Sequence, residues 1–528
     1  MNQYKQYISK AIENVLKEGI TDVDLFSDFF EVSILKDDSL SKKLINRYSS
    51  LLAESFEKMA FNKNNYFLFP KSDFTSYRKC ALIQITDEIK YLALVLSIAK
   101  EIEAKRIKKS CNTVFSYRYQ ADLKDYLFDS HYNYQSFRNE VGKIISEGKY
   151  TVMISCDISN FYDRINIHRL ISKLYTISKR TDVITKIEQL LLFWADRNSY
   201  SLPVGSNASR ILAEAALIDV DKFLLDHKIR YVRFVDDFRI FCKDVVEAQN
   251  ILNMLINRLD QEGLYLNSKK TKFVDLTKEG DKFHYIYKSN SDLSEEERRE
   301  RLRIIRGYNG SIPTKFKKLS CTEILKFQSV DSLELYKETA AKVVLESNDI
   351  VYLIKVLIAN KRFDLFLNSC SIMKKFPQLI PYYISAFNKN LDSMTDDAAI
   401  DKMKKEYLEL LSKCSDYPDF ILIYITRLFE GDQKYTKRLF DIYMNSPRSI
   451  NPYYGRRLLE AMEGNLERYQ LLELKGLISA VSLWEKREII KCLKTGLYED
   501  EFKPIFKDYL ITNCDELFFD NSDSNLIS

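Results

Sequence analysis

Two neighbouring carboxylates, Asp236 and Asp237, are the side chains that most directly suggest chemistry in this chain. They lie within residues 231–242, YVRFVDDFRIFC, where apolar and aromatic residues flank them on both sides. This pattern predicts two short β-strands whose connecting turn carries both acids. Because carboxylates about 4 Å apart repel each other by roughly 1 to 4 kcal/mol, a fold that keeps them together commonly binds a cation there. Mg²⁺, which prefers oxygen ligands, is the expected ion, and Mn²⁺ is the alternative.

A third acid, Asp157, follows a near-continuous apolar run from Thr151 to Cys156. Such a run predicts a buried strand, and the acid stands at its end. A carboxylate at a strand end can meet another from the tip of a neighbouring hairpin and share a metal ion with it. A lone Asp-Asp turn is more often a solvated acidic turn, so the metal hypothesis depends on Asp157 and Asp236 coming together.

Two cations, Lys71 and Arg78, stand on either side of a predicted turn around Ser72. A hairpin that carries two positive charges could hold a triphosphate. A solvated hairpin with scattered charges is the simpler interpretation of these residues taken alone.

A glycine turn precedes a predicted helix in the stretch SLPVGSNASRILAEAA. Pro203 and Gly205 interrupt the chain, and Ser206 or Asn207 can cap the helix that follows. A glycine just before a helix lets the backbone approach a ligand closely.

Composition sets limits on the class of protein. The 528 residues suffice for two or three domains, and only 13 glycines favour a mainly helical fold. The net charge of +5 means that nucleic-acid contacts would have to come from local basic clusters. Nine scattered cysteines and four histidines argue against a zinc site or a disulfide framework and favour a reducing cytoplasm. The longest apolar run, Tyr91 to Ala99, is too short to span a bilayer, so we expect no membrane segment. Residues 1–19 interleave charges with apolar residues and lack the continuous apolar core of a signal peptide, so we expect none.

Five motifs follow one another in a meaningful order. They are FPKSDFTSYRK, DISNFY, LPVGSNASR, FVDD and LNSKKTKF. Together they resemble the fingers and palm of a reverse transcriptase over roughly residues 65–275. Each motif is weak by itself, whereas the ordered set is specific.

The resemblance implies a metal site. Asp157 and Asp236 match the metal-binding acids of that palm, and Ile158 would offer its backbone carbonyl to a metal. Asp237 matches the companion acid beside them.

The resemblance also implies contacts with the incoming nucleotide. Tyr162 matches the aromatic residue that lies under the sugar and rejects a 2′-hydroxyl, which favours DNA synthesis, and Phe161 is the alternative gate. Lys71 and Arg78 match the pair that contacts the triphosphate. Gly205 belongs to the nucleotide-facing turn, and Lys270 matches the lysine of the LNxxKT motif, for which a structural role is equally consistent.

One departure from the family pattern is informative. Val204 stands where most reverse transcriptases have the glutamine of Leu-Pro-Gln-Gly. Within the wider family, the chain resembles the bacterial abortive-infection polymerases, which join this palm to an all-helical C-terminal domain. That resemblance implies a role in phage defence and DNA synthesis that is untemplated and primed from a protein tyrosine.

The C-terminal half supports the same comparison. Beyond residue 330, amphipathic helical segments follow one another and are broken at prolines such as Pro377, Pro418 and Pro504. The predicted fold is therefore α+β, with reverse-transcriptase-like fingers and palm over residues 1–290 and an all-α, HEAT-like domain over residues 291–528. An arginine-rich segment at residues 293–307 could contact a nucleic-acid backbone, although a solvated charged helix is the more common case.

These observations predict a cytoplasmic bacterial DNA polymerase that adds dNTPs by two-metal phosphoryl transfer. Its partners would be dNTPs, a single-stranded DNA product attached to the protein, and further copies of the same chain. The alternatives are a templated reverse transcriptase of the retron or group II intron kind and a catalytically idle nucleic-acid-binding scaffold.

A priming tyrosine must reach the metals and then move away as the product lengthens, so it should not be locked in the core. Tyr4 and Tyr7 lie near a chain end, which is commonly mobile. Tyr48 and Tyr66 precede the fingers. We therefore expect the primer among these four residues.

Overall fold

A computed structural model gives the structure of this chain, which forms two compact units. The described residues are 2–20, 29–71, 77–124, 126–196, 198–278, 312–413, 417–446, 451–513, 515 and 517–518. The first unit comprises residues 1–64 and 80–308, and the second comprises residues 65–79 and 309–528. The arginine-rich segment lies outside the described residues.

The second unit includes a segment that the sequence-based division placed in the first domain. Residues 65–79 hold strand β1 (Asn65–Pro70) and the first half of strand β2 (Tyr77–Leu82), which pair as a two-stranded sheet. Phe69 of β1 packs against Phe420 with ring centroids 5.9 Å apart, and the side-chain amide of Asn451 donates to the carbonyl of Tyr66 at 3.3 Å. This packing joins the hairpin to the helices of the second unit.

The first unit is built around a four-stranded antiparallel sheet in the order β4-β5-β3-β6. The strands are β3 (Val152–Asp157), β4 (Arg230–Phe234), β5 (Asp237–Cys242) and β6 (Lys272–Asp275). Its helices are α1 (Asn2–Glu18), α2 (Phe30–Ile34), α3 (Asp38–Leu51), α4 (Ile85–Lys105), α5 (Tyr134–Ser146), α6 (Phe161–Arg164), α7 (Ile167–Ile177), α8 (Thr181–Ala195), α9 (Asn207–Ala216), α10 (Ile218–Asp226) and α11 (Val245–Asp260), with short 3₁₀ turns at Phe56–Met59 and Lys109–Cys111.

Both faces of this sheet are covered. Met153 of β3 and Phe241 of β5 pack with Phe137 and Val141 of α5 in one apolar cluster. Ile154 and Ile240 are partners in the register, are fully buried and point to the opposite face, because successive strand residues alternate. This double burial explains why β3 has a near-continuous apolar sequence.

The β4–β5 hairpin confirms the two strands predicted for residues 231–242, but its turn carries only Asp236, because Asp237 is already the first residue of β5. Phe234 pairs with Asp237, which leaves Val235 and Asp236 in the turn. Val235 has a φ of 55°, a left-handed conformation that a β-branched residue rarely adopts.

The second unit is helical apart from the β1–β2 hairpin, as far as its residues are described. Its helices are α12 (Cys321–Gln328), α13 (Ser332–Ala341), α14 (Ser347–Ala359), α15 (Phe363–Leu367), α16 (Cys370–Lys375), α17 (Ile380–Asn390), α18 (Asp397–Ser412), α19 (Asp419–Thr426), α20 (Thr436–Asn445), α21 (Pro452–Met462), α22 (Arg468–Leu477), α23 (Leu483–Gly496) and α24 (Glu499–Asn513), with 3₁₀ turns at Pro377–Leu379, Leu391–Ser393 and Gln433–Tyr435.

Prolines mark most of the predicted breaks in this unit. Pro377 begins a 3₁₀ turn, and Pro418 precedes α19. Pro504 is different, because α24 continues through it. The proline cannot donate a backbone hydrogen bond there, and Phe502 and Phe506 on either side of it stack with ring centroids 5.4 Å apart. Among the described residues, no helix is long and apolar enough to cross a membrane.

Candidate active site

The sheet register brings three separately predicted acids to one place. Asp157 is the last residue of β3, and Asp237, the first residue of β5, lies directly opposite it. Asp236 precedes Asp237 in the turn, and its carbonyl accepts a hydrogen bond from the amide of Ile158 at 3.0 Å. The end of β3 and the tip of the hairpin are therefore tied together, with three carboxylates between them.

A loop after α11 holds the end of β3 from the other side. The carbonyl of Asp157 accepts from the amide of Asn267 at 2.7 Å, and Ser159 donates to the carbonyl of Tyr265 at 2.8 Å. Lys270, in the same loop, places its Nζ 3.1 Å from Oδ2 of Asp157. The Lys270 side chain is 60% exposed, so it can leave this contact at little cost.

Asp237 has a different partner. The guanidinium of Arg239, two residues along β5, binds its carboxylate through both terminal nitrogens, with Nη2 3.0 Å from Oδ2. Arg239 is buried and also donates to the carbonyl of Phe238 at 2.9 Å. This bidentate pair compensates the charge of Asp237 within the protein.

The surroundings raise the pKa of both Asp157 and Asp236. Burial raises the pKa of Asp157, the charge of Asp237 adds to the rise, and Lys270 opposes it. Burial, followed by the charges of Asp157 and Asp237, raises the pKa of Asp236 to about 7. Since these rises come partly from the neighbouring carboxylates, the acids face one another, and a cation between them would relieve the repulsion.

The donor set fits a hard divalent cation. Carboxylate oxygens from Asp157 and Asp236 are the ligands that Mg²⁺ takes, and the ion commonly needs only one or two of them beside water and phosphate. Among the described residues, no group of three or more His, Cys, Asp or Glu side chains is arranged to hold a metal ion. In this structure Lys270 pairs with Asp157, and Arg239 pairs with Asp237.

The predicted sugar gate lies beside the acids. Phe161 is buried at the start of α6, and Tyr162 packs against it with ring centroids 5.6 Å apart. Burial raises the pKa of Tyr162 well above its usual value, and the nearby groups that act on it include Tyr117, Arg210 and Asp236. The carbonyl of Tyr162 accepts from the amide of Leu202 at 3.0 Å, which joins the gate to the glycine turn.

The glycine turn has the conformation that its sequence requires. Gly205 has a φ of 118°, which side-chain-bearing residues avoid, and the Ser206 hydroxyl caps α9 by accepting from the amide of Ala208. The same hydroxyl donates to Oε1 of Glu88 at 2.7 Å. Burial raises the pKa of Glu88 to about 8, so the turn rests on a carboxyl group that holds its proton at neutral pH.

The two predicted triphosphate contacts belong to the second unit. Lys71 follows β1, and its carbonyl accepts from the amide of Ile312 at 2.9 Å. Arg78 is exposed on β2. The acids belong to the first unit, and residues 72–76 of the intervening turn lie outside the described residues.

Two of the four tyrosines proposed as primers lie in the core, although a priming tyrosine was expected to lie outside it. Tyr4 is 4% exposed and donates its hydroxyl to Asp182 at 3.1 Å, and Tyr48 is fully buried. Tyr4 shares the buried face of α1 with Ile8, so the helical spacing could have excluded it. Tyr7 and Tyr66 are half-buried, and Tyr66 lies under the Nζ of Lys79 at 4.0 Å.

Two buried arginines were not predicted from the sequence. Arg233 lies three residues before Asp236, and Arg239 lies three residues after it. Their signal was present, because an arginine inside an apolar strand is rarely buried without an acidic partner.

Comparison with known proteins identifies one family for part of the chain. A family model described as reverse transcriptase (RNA-dependent DNA polymerase) matches residues 98–297, which include Asp157, Tyr162, Asp236 and Lys270. No curated protein sequence matches the chain.

Among the solved structures that are similar to the chain at low identity are three of telomerase. The telomerase of Candida albicans with a TWJ fragment of telomeric RNA has 11% identity and a TM-score of 0.31, over 92% of this chain and 75% of that one. The telomerase of Candida tropicalis with the same kind of RNA fragment has 14% identity and a TM-score of 0.29, over 87% and 68%. The apo form of Candida tropicalis telomerase has 12% identity and a TM-score of 0.29, over 89% and 73%. TM-scores this low carry no functional argument.

The family match and the three converging acids lead to one conclusion: residues 98–297 are a reverse transcriptase domain, and the protein is an enzyme of the nucleotidyltransferase class.

Proposed function

We propose that this protein is a DNA polymerase that adds dNTPs with the help of divalent metal ions bound by Asp157 and Asp236. The observation that carries the proposal is the meeting of these two acids: the charge of Asp157 helps to raise the pKa of Asp236, and the cation that contacts Asp157, Lys270, is 60% exposed. When bound, Mg²⁺ would lower the pKa of the attacking hydroxyl and neutralise the leaving pyrophosphate.

The protein's own groups have separate tasks in this proposal. Asp157 and Asp236 supply ligand oxygens, with the Ile158 carbonyl as a further one. Tyr162 lies under the sugar, and the turn at Gly205 brings backbone close to the nucleotide. Lys71 and Arg78 bind the triphosphate, and Lys270 leaves Asp157 when a metal ion takes its place.

The direct test is incubation of the purified full-length protein with labelled dNTPs and Mg²⁺ or Mn²⁺, followed by denaturing gels. We expect incorporation by the wild type and a loss of more than about 100-fold in Asp236→Asn, a larger loss than outer contacts of a metal site usually cause. Asp236→Asn keeps the side-chain volume, so its thermal unfolding should remain cooperative. Incorporation by Asp236→Asn at the wild-type rate would refute the assignment of this acid.

A narrower proposal concerns how synthesis begins. We propose that synthesis is untemplated, is primed from a tyrosine of the protein and serves phage defence by abortive infection. Three features support this proposal: the resemblance of the palm to the abortive-infection polymerases, Val204 in the glycine turn, and the helical second unit. Tyr7 and Tyr66 are the accessible candidates for the primer. A HEAT-like arrangement of the second unit and self-association belong to the same proposal.

The second candidate is templated synthesis, which the description of the matching family model favours. Reactions with and without an RNA template distinguish the two. Product that enters the gel only after protease treatment and forms without template supports protein priming. Product that runs free of protein and requires template supports conventional reverse transcription, and the absence of any product with either supports an idle scaffold.

A further inference from the structure

Arg233 of β4 is completely buried three residues before Asp236. Its Nε donates to Oδ1 of Asp221 at 2.9 Å, and its Nη2 donates to Oδ2 of Asp221 at 2.5 Å and to Oε2 of Glu214 at 3.0 Å. Asp221 lies in α10 and Glu214 in α9. A buried guanidinium needs such partners, because charge that is taken out of water must be compensated. Two helices therefore fix the position of this side chain.

The remaining nitrogen of Arg233 reaches the acidic turn. Nη1 donates to the carbonyl of Val235 at 2.8 Å. Val235 is the residue with the left-handed φ of 55°, and a β-branched side chain makes that conformation unfavourable unless the surroundings hold it. The hydrogen bond from Arg233 is a contact of the kind that holds it.

The next residue is held in turn. The carbonyl of Asp236 accepts from the amide of Ile158, immediately after Asp157. The backbone of Arg233 is itself anchored, since its amide donates to the carbonyl of Thr113 at 2.8 Å and its carbonyl accepts from Phe115 at 3.0 Å. Hydrogen bonds thus link α9 and α10 to Arg233, Arg233 to the Val235 carbonyl, and the Asp236 carbonyl to Ile158, and the chain itself connects these steps to the two acids.

We propose that Arg233 is a positioning residue that fixes the Val235–Asp236 turn and so aims the Asp236 carboxylate at Asp157. The kinetic consequence rests on the proposed function, whereas the structural consequence does not. Arg233 touches no reacting atom and acts through the backbone of Val235. Without it, the turn would sample other conformations and the two acids would no longer converge.

A buried arginine could also serve stability alone, and Arg118 provides the matched comparison. Arg118 is 2% exposed in the same charged region, and it donates to the carbonyl of Ile107 at 2.7 Å and pairs with Glu103 at 2.8 Å. Arg118 feels the charges of Glu214 and Arg233, but neither of its own bonding partners, Ile107 and Glu103, is a residue of the acidic turn. Replacement of either arginine by lysine keeps a positive charge but removes the planar, multiply donating head group.

The experiment compares Arg233→Lys with Arg118→Lys in the full-length protein. Amide hydrogen exchange at Ile158 reports whether the turn still presents the Asp236 carbonyl, and titration with Mn²⁺ reports whether the acids still converge. For Arg233→Lys we expect exchange at Ile158 to be at least about 10-fold faster, Mn²⁺ binding to be about 10- to 100-fold weaker and kcat to fall more than the KM for dNTP rises. Arg118→Lys should lower the thermal midpoint and leave these three quantities within about twofold. Equal exchange and equal Mn²⁺ binding in the two variants would overturn the proposal.

A second variant, Val235→Gly, tests the same contact without removing the arginine. Glycine adopts a positive φ freely, so Arg233→Lys should have a smaller effect in the Val235→Gly background than in the wild type. Val235→Gly alone should keep the Ile158 amide protected, because Arg233 still binds the carbonyl of residue 235. Loss of that protection would refute the proposal even if Arg233→Lys does not fold. Exchange requires no catalysis, so a wild type that incorporates no dNTP would refute the proposed function and leave this comparison intact.

Discussion

The surroundings of Asp236 raise its pKa, and this makes the free energy of unfolding depend on pH. An aspartate in an unfolded chain has a pKa near 3.9, whereas burial and the neighbouring acids raise the pKa of Asp236 to about 7 in the folded protein. Between these two values the folded state binds more protons than the unfolded state. The free energy of unfolding of the metal-free protein therefore falls as pH rises from about 4 to 7.

We expect the Asp236→Asn variant to lack this part of the pH dependence. Without metal, the variant should be more stable than the wild type at pH 7, by about 1 to 2 kcal/mol after allowance for solvent screening, and the difference should disappear below pH 4. Thermal unfolding from pH 4 to 8 measures it. Mg²⁺ or Mn²⁺ should raise the midpoint of the wild type at pH 7 and have little effect on Asp236→Asn. A pH-independent difference between the two proteins would contradict the pKa assignment.

Tyr162 permits a second prediction at the residue scale. Its ring packs against the buried Phe161, and the charge of Asp236 acts on its hydroxyl. In the proposed function this ring lies under the sugar of the incoming nucleotide. Replacement by valine or alanine removes the ring that would collide with a 2′-hydroxyl, so we expect the preference for dNTP over rNTP to fall by about 10-fold or more. The ratio of kcat/KM for the two nucleotides measures the change. An unchanged ratio would show that Tyr162 is not the sugar gate and would leave Phe161 as the candidate.

At the scale of elements, the sequence was informative where a short pattern decides the structure. Alternation and turn chemistry predicted the β4–β5 hairpin with its acids at the tip, and the apolar run predicted β3 with Asp157 at its end. The capture of Asp157 by Lys270 and the bidentate pair of Asp237 with Arg239 could not be predicted in the same way. These contacts depend on side-chain positions that only the assembled sheet fixes.

The turn before α9 is the element whose conformation depends most clearly on one residue. Gly205 has a positive φ, and its neighbour Ser206 both caps the helix and binds Glu88. We expect Gly205→Ala to destabilise the protein by about 1 to 2 kcal/mol and to raise the KM for dNTP, because the turn must distort. Ser146, which is exposed at the end of α5, gives a control position outside the proposed site. Its replacement by alanine should leave the KM unchanged. An unaltered KM in Gly205→Ala would show that this turn does not contact the nucleotide.

At the scale of the whole molecule, the β1–β2 hairpin belongs to the second unit although its sequence lies within the first. No local pattern in residues 65–79 predicts this, because the partners that hold the hairpin lie hundreds of residues away. α19 packs on β1, and Phe420 of that helix is fully buried.

The hairpin should therefore respond to a change in α19. We expect Phe420→Ala to cost about 3 to 5 kcal/mol and to speed amide exchange throughout β1. Phe506→Ala provides the matched control, since Phe506 is a buried phenylalanine of the same unit that packs against Phe502, Tyr509 and Phe518 instead of the hairpin. Equal exchange of β1 in both variants would show that Phe420 does not hold the hairpin in place.

This arrangement has a consequence for synthesis of the chain on the ribosome. About 350 residues separate Phe69 from Phe420, so at translation rates of about 5 to 20 residues per second the hairpin waits roughly 20 to 70 s for its partner. During that interval β1 presents Phe67 and Phe69 without the packing that covers them in the folded protein. The nascent protein therefore carries an exposed apolar strand for most of its synthesis, and we expect chaperone binding to concentrate on this segment until α19 has emerged.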